Sequence, residues 1–188
     1  MGLFDRFKKE KIYSMATEKK CDNELLEIVR NVSFNNEAIL KNAQNCIENT
    51  IEYYQNHLTD YEDRGISNQD EISFLQWVGC IDLLKSYGYV CECDWKESKD
   101  EFLLQISTLK EIGLLGLKIN SNWLDKEQDI PGWCAKLEEK WGKLNGVIGA
   151  FDIDSDSYVM FICKKEDLEI LMVLAEKFGY RIDYAKNM

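Results

Sequence analysis

The stretch Gly146–Lys164, GVIGAFDIDSDSYVMFICK, decides how the chain folds. Two apolar runs flank aspartates at every second position, Asp152, Asp154 and Asp156. Val147, Ile148, Ala150, Phe151 and Ile153 would be apolar on both faces of one extended strand. Val159, Met160, Phe161, Ile162 and Cys163 would be so on the next. Asp and Ser favour turns because their side chains bond nearby backbone N–H groups. The pattern therefore predicts a hairpin: strand 146–153, a turn at Ser155–Asp156, and strand 158–163. Strands apolar on both sides need cover on both sides.

Downstream, residues 166–178 read as a helix stopped by Gly179, and 180–184 as a last strand. Upstream, YVCECDW (89–95) is a short β-type run. A helix follows with Ser98 as its cap and Phe102, Leu103, Ile106 and Leu109 inward. Within the insert 113–145, LLGLKI reads as a short strand. Pro131 opens a helix with Trp133, Leu137, Trp141 and Leu144 on one side. The order β-α-(insert)-β-β-α-β matches the split βαβ, ferredoxin-like arrangement. Right-handed crossovers then predict an antiparallel sheet in the order 4-1-3-2, with both crossover helices on one face. The other face falls to helices from the first half or to a second subunit, which leaves room for a homodimer.

That first half reads as three helices over 22–88. The first has Asp22 or Asn23 as its cap and Leu25, Leu26, Ile28, Val29 and Val32 inward. The second places Ile39, Leu40, Ala43, Ile47, Ile51, Tyr54 and Leu58 at helical spacing. The third starts near Asn68, buries Phe74, Trp77, Val78, Ile81 and Leu84, and ends at Gly88. The fold class is α+β: three N-terminal helices packed on a ferredoxin-like antiparallel sheet with a helical insert. The expected division is a flexible basic segment, 1–20, and a single α+β domain, 21–188. Its helical part is 22–88 and its βα(insert)ββαβ part 89–185.

Charge and cysteine usage narrow the function. The 188 residues carry a net charge of −11. Residues 1–20 hold six basic and three acidic side chains, so the remainder carries −14. Such a surface repels nucleic acid and anionic lipid and suits a basic protein partner or a divalent cation. Leu3, Phe4, Phe7 and Ile12 offer a weak lipid-surface pattern at the start. No apolar run is long enough to span a membrane, and no export signal is visible, so a cytoplasmic location is expected. The seven scattered cysteines then read as free thiols. Cys91 and Cys93 form a C-x-C, but a zinc site needs two more soft ligands; the one histidine, His57, sits late in a long helix, and Cys80 and Cys163 would approach only by accident of packing. There is no Gly-rich phosphate loop. No cofactor and no catalytic residue is assigned.

In the expected topology one end of the sheet gathers a corner of polar and aromatic residues: Asp94, Trp95, Asp152, Asp154, Asp156, Tyr158 and Arg181. Several carboxylates within one loop's reach is what Mg²⁺ or Ca²⁺ requires. Asp152 and Asp154 would point the same way in an extended strand, to be neutralised by a metal, by Arg181 or by water. DIDSDS does not complete a calcium loop, since Ser157 stands where Gly is needed and Cys163 where Glu is needed. The five tryptophans read as core or as a protein-binding surface.

CDWKES, LDKEQDIPGW and DIDSDSYVMFICKKEDLEILMVLAEKFGY, carrying the triplet Asp94-Trp95-Lys96 and the run Ser155–Tyr158, resemble an uncharacterised family of bacterial cytosolic domains of unknown function. The likeness covers roughly residues 70–184. It implies no activity and no catalytic residue. The sequence thus favours a non-enzymatic, acidic bacterial protein that binds another macromolecule, in the manner of an immunity protein or a regulator. The alternative is a divalent-cation-dependent activity at the aspartate-rich corner.

Overall fold

A computed structural model describes residues 23–188; the basic segment 1–20 lies outside the described residues. Five helices come first: α1 (23–32), α2 (Glu37–Glu48), α3 (Thr50–Asn56), α4 (Leu58–Asp63) and α5 (Ile72–Ser86). The single long helix expected through Leu58 is broken twice, at Asn49 (φ −127°, ψ 45°) and His57 (φ −121°, ψ 27°). Side chains compete with the helical backbone at the first break. Asn49 Nδ2 donates to Asn45 Oδ1 at 3.0 Å, and Thr50 Oγ1 donates to the Ile47 carbonyl at 3.1 Å. The break changes the helical phase. Thr50 and Tyr53 turn inward, while Ile51 and Leu58, expected inside, are exposed.

The centre of α5 is buried on every side, from Leu75 through Ile81. A helix apolar all round belongs inside a layer rather than on its surface. Its two non-apolar members are accounted for. Gln76 Nε2 donates to the Ile47 carbonyl and to Thr50 Oγ1. Gly79 lets Tyr61 and Cys46 approach, and a Cβ there would lie 2.8 Å from the Cys46 sulfur. Gly88, at φ +75°, ends the helix as expected, with Tyr89 N–H closing back on the Leu84 carbonyl.

The second half supplies β1 (Cys91–Asp94), α6 (Lys99–Ser107), α7 (Lys110–Leu114), α8 (Ile130–Trp141), β2 (Gly146–Phe151), β3 (Ser157–Lys164), α9 (Lys165–Phe178) and β4 (Ile182–Tyr184). Ser98 caps α6 in a full capping box with Glu101. The expected LLGLKI strand does not form. Gly116, at φ +65°, closes α7 instead, with Leu117 N–H on the Ile112 carbonyl and Gly116 N–H on the Gly113 carbonyl. Leu144, expected to pack with the α8 stripe, is exposed in a short 3-10 turn after that helix.

The four strands form one antiparallel sheet in the order β1-β3-β2-β4. The 4-1-3-2 order expected of a ferredoxin-like sheet is not what forms: β4 lies beside β2 rather than beside β1. That change has a geometric consequence. The crossovers β1→β2 and β3→β4 start from antiparallel strands and step the same way across the sheet. If both keep the same hand, they must lie on opposite faces. The packing agrees. α9 (Leu168, Leu171, Ala175) shares a core with α1, α2 and α5 and with Val147, Phe151, Val159 and Phe161. α6 and α8 (Phe102, Ile106, Trp133, Leu137, Trp141) share the other with Ile148, Ala150, Met160 and Ile162. Odd-numbered residues of the central hairpin face the first core and even-numbered ones the second. The expected cover on both sides is therefore supplied within the chain. Among the described residues no helix is long and apolar enough to cross a membrane.

Candidate functional site

The residues singled out from sequence come to one rim of the sheet. Asp94, the last residue of β1, pairs with Ser157, and Cys93 pairs with Tyr158. The β2–β3 turn, residues 152–156, stands beside them, and Arg181 meets the turn from the other side through its carbonyl, which accepts from Asp152 N–H at 3.0 Å. A cleft of about 510 Å³ opens here. Trp95, Asp152, Asp156, Tyr158 and Arg181 line it, with Phe151 and Ile153 on the apolar side. Asp94 and Asp154 stand outside the lining.

Local bonds explain the turn. β2 ends at Phe151, and Asp154 adopts a left-handed conformation, φ +57°. The strand alternation that would have aligned Asp152 with Asp154 is thereby lost. The Asp152 carboxylate accepts from Asp154 N–H at 3.1 Å, and Ser155 Oγ accepts from Ser157 N–H at 3.2 Å. Asp94 makes the same kind of turn bond, accepting from Lys96 N–H at 2.8 Å. Among the described residues no three His, Cys, Asp or Glu side chains gather as they would around a metal ion. Arg181 does not pair with the three turn aspartates. Its Nη2 donates to Asp183 Oδ2 at 2.8 Å and to the Asn187 carbonyl at 3.2 Å. Burial would raise the Asp183 pKa, but hydrogen bonds from Arg181, Asn187 and Tyr184 N–H bring it below the usual carboxylate value.

The tryptophans divide by exposure. Trp77, Trp133 and Trp141 are buried, and each indole N–H reaches a main-chain carbonyl. Trp95 is 53% exposed, with the Lys96 ammonium 4.5 Å from its ring centroid. Tyr158 is half-buried, and its hydroxyl donates to the Met188 carbonyl. The cysteines in the described residues are buried free thiols, Cys91 and Cys93 included. His57 lies in the helical layer, its ring stacked 4.0 Å from that of Tyr53.

Two features escaped the sequence reading. Arg64, just after α4, donates through Nη2 to Asp82 of α5 (2.6 Å) and to Glu92 of β1 (2.8 Å), tying the helical layer to the edge strand. Burial would raise the Glu92 pKa, but hydrogen bonds from Arg64 and Lys85 outweigh it and bring it down to about 2. The partners lie 18 and 28 residues from Arg64. The one sequence signal was Asp82, a charge inside the apolar run VGCIDLL. The second feature is Glu111 of α7, fully buried although it follows Lys110 in what reads as an ordinary polar pair.

A family model described as a domain of unknown function (DUF6630) matches residues 24–185. The chain belongs to that family. The match extends further toward the N-terminus than the likeness read from the motifs and takes in the helical layer as well as the sheet. No curated protein and no solved structure was found to match the chain. Family membership therefore assigns no chemistry to this rim.

Proposed function

We propose that this protein is a non-enzymatic, cytosolic binding module that takes a basic segment of another protein into the Trp95 cleft. Residues 21–188 act in this reading as one α+β domain. The observation that carries it is Trp95. A tryptophan more than half exposed is costly to leave in water, and here it stands on the rim of a cleft that also holds Asp152 and Asp156. Buried aromatic anchors dominate the energetics of protein interfaces. An arginine or lysine from a partner can lie against the indole face and reach a carboxylate behind it. The net charge of −11 favours fast capture of such a partner and disfavours nucleic acid. A small acidic bacterial protein that caps a basic toxin or regulates a basic partner fits this description. A divalent-cation activity finds no comparable support: Asp94 and Asp152 each accept an amide within their own turns, and among the described residues no three carboxylates gather around one point.

The test places a photo-crosslinking residue at position 95 and exposes the protein to lysate of its host cell. A basic protein should be trapped, less so at high salt. Asp152→Asn with Asp156→Asn, in the crosslinking chain, should abolish the trapping. Trapping that survives both the charge removal and 0.5 M salt would exclude the reading.

A further inference from the structure

β3 is longer than the strand that pairs with its outer side. β2 follows it as far as Lys164, whereas β1 leaves it at Met160, opposite Cys91. Phe161–Lys164 thus have no strand on the β1 side, and α7 packs there instead. An uncovered strand edge is a row of unpaired N–H and C=O groups, so whatever covers it governs access to it.

Two glutamates flank the cross-strand pair Ile148↔Ile162, in opposite ways. On the β4 side, Glu138 Oε1 accepts from Ile148 N–H at 3.0 Å and Oε2 accepts from Lys186 Nζ. Its charge is satisfied. On the β1 side, Glu111 has no exposure, and neither carboxyl oxygen has a hydrogen-bond partner. The backbone at Ile162 and at Glu111 itself favours the charge without forming a bond of ordinary geometry. Lys110 favours it too, but its ammonium is drawn over the Tyr89 ring, 5.0 Å from the centroid. The Cys163 thiol, on the other face of β3, has its own pKa raised by burial first, then by the Asp167 and Glu111 charges. Burial outweighs the favourable neighbours and pushes Glu111 up to about 8.

The element that carries Glu111 is short and lies between two firm points, with Ile112 and Leu115 only partly buried against the second core. It has five residues and no side-chain N-cap. Leu114 on it is exposed, and Gly116 follows with φ +65°. At its start Lys110 N–H is tied to the Gly88 carbonyl (3.0 Å); beyond its end the Lys118 carbonyl is held by the Trp141 indole (2.7 Å). Local opening between such anchors is the common form of sub-global motion.

We propose that α7 is a proton-dependent latch over the unpaired edge of β3: it seats with a neutral Glu111 and lifts when Glu111 ionises, uncovering the backbone of Phe161–Lys164. Lifting returns the carboxylate to water, so the opening equilibrium follows the difference in proton affinity between the seated and lifted states. Opening grows about tenfold per pH unit while only the lifted form is ionised, and levels off once the seated form ionises as well.

Hydrogen exchange measured by mass spectrometry on the full chain tests this, with each rate divided by the intrinsic chemical rate at that pH. For peptides spanning 109–117 the corrected rate should rise about tenfold per unit from pH 5 to pH 8 and flatten above it. The rise should be insensitive to 1 M urea, because little surface is exposed, and Glu111→Gln should abolish it. A flat profile in the unmodified protein overturns the latch. So does a rise that persists in Glu111→Gln, or one as urea-sensitive as the exchange of α5, which would report global unfolding. Urea melts of Glu111→Gln establish that the variant is folded.

Discussion

The indole N–H of Trp77 donates to the main-chain carbonyl of Asp152 at 2.8 Å. One partner lies in the middle of a helix buried on every side, and the other begins the acidic turn. The bond therefore fixes the rim of the cleft to the interior of the helical layer. Around it, Trp77 packs edge-on to Phe151 and stacks on Tyr180, with ring centroids 5.5 and 5.0 Å away.

Trp77→Phe should therefore act on stability and on the site together. Loss of the hydrogen bond leaves a carbonyl without its donor, and the smaller ring leaves a void. The expected cost is about 2–3 kcal/mol. In a chain of this size that lowers the melting temperature by roughly 5–10 °C, measurable by calorimetry. Exchange of the 152–156 amides should quicken in the same variant; if it does not, the turn is held by its own side chains.

The Arg64–Asp82–Glu92 cluster predicts a defined acid limb. Glu92 sits well below its ordinary pKa of about 4.5, at about 2. The stability it contributes is complete above pH 4.5 and is lost as pH falls from there toward 2. About 2–3 kcal/mol is at stake for a largely buried carboxylate. Urea midpoints measured from pH 6 to pH 2.5 should fall in the unmodified protein, and Glu92→Gln should flatten that fall. Arg64→Ala should cost more at neutral pH, because it leaves two partly buried carboxylates side by side.

Glu111 acts with the opposite sign. Its pKa is raised, so the unfolded chain ionises first, and this residue destabilises the fold progressively from about pH 4.5 to pH 8. Glu111→Gln should match the unmodified protein at pH 4.5 and exceed it by roughly 2–4 kcal/mol at pH 8.5. Equal stability at both pH values would mean that the carboxyl is solvated in the folded state.

Gly149 allows α9 to lie close on the sheet. A Cβ there would meet the Phe161 ring and come within 2.9 Å of Leu168 Cδ1. Gly149→Ala should therefore cost about 2–3 kcal/mol in spite of the alanine's lower unfolded-state entropy. Gly149→Ala combined with Phe161→Leu should recover part of the loss, a coupling that a double-mutant cycle in urea would measure.

Much of the local structure was legible in the residues. The apolar runs of the hairpin, Ser98 as the cap of α6, Pro131 at the start of α8 and the glycines at 88 and 179 all act over a few positions, so one sequence carries them in full. The missed features fail for equally local reasons. The Asn45–Asn49 bond breaks an apparently continuous helix, and the Gly116 cap turns a strand-like LLGLKI into the end of a helix. Of the candidate rim, the meeting of Asp94 with the 152–156 turn followed from strand order up to β3, which the chain keeps. The partner of Arg181 did not follow, because Asp183 competes from two residues away.

The sequence by itself determined the hairpin 146–164, the apolarity of both its faces and the net negative charge, since each follows from residue type and spacing. Tertiary structure alone decided that β4 lies beside β2, that the two crossovers take opposite faces, that Arg64 joins helix to strand, and that Glu111 is left without a partner. Those outcomes depend on which of several competing surfaces buries the most area. That comparison is made between segments tens of residues apart, and no window of sequence contains both sides of it.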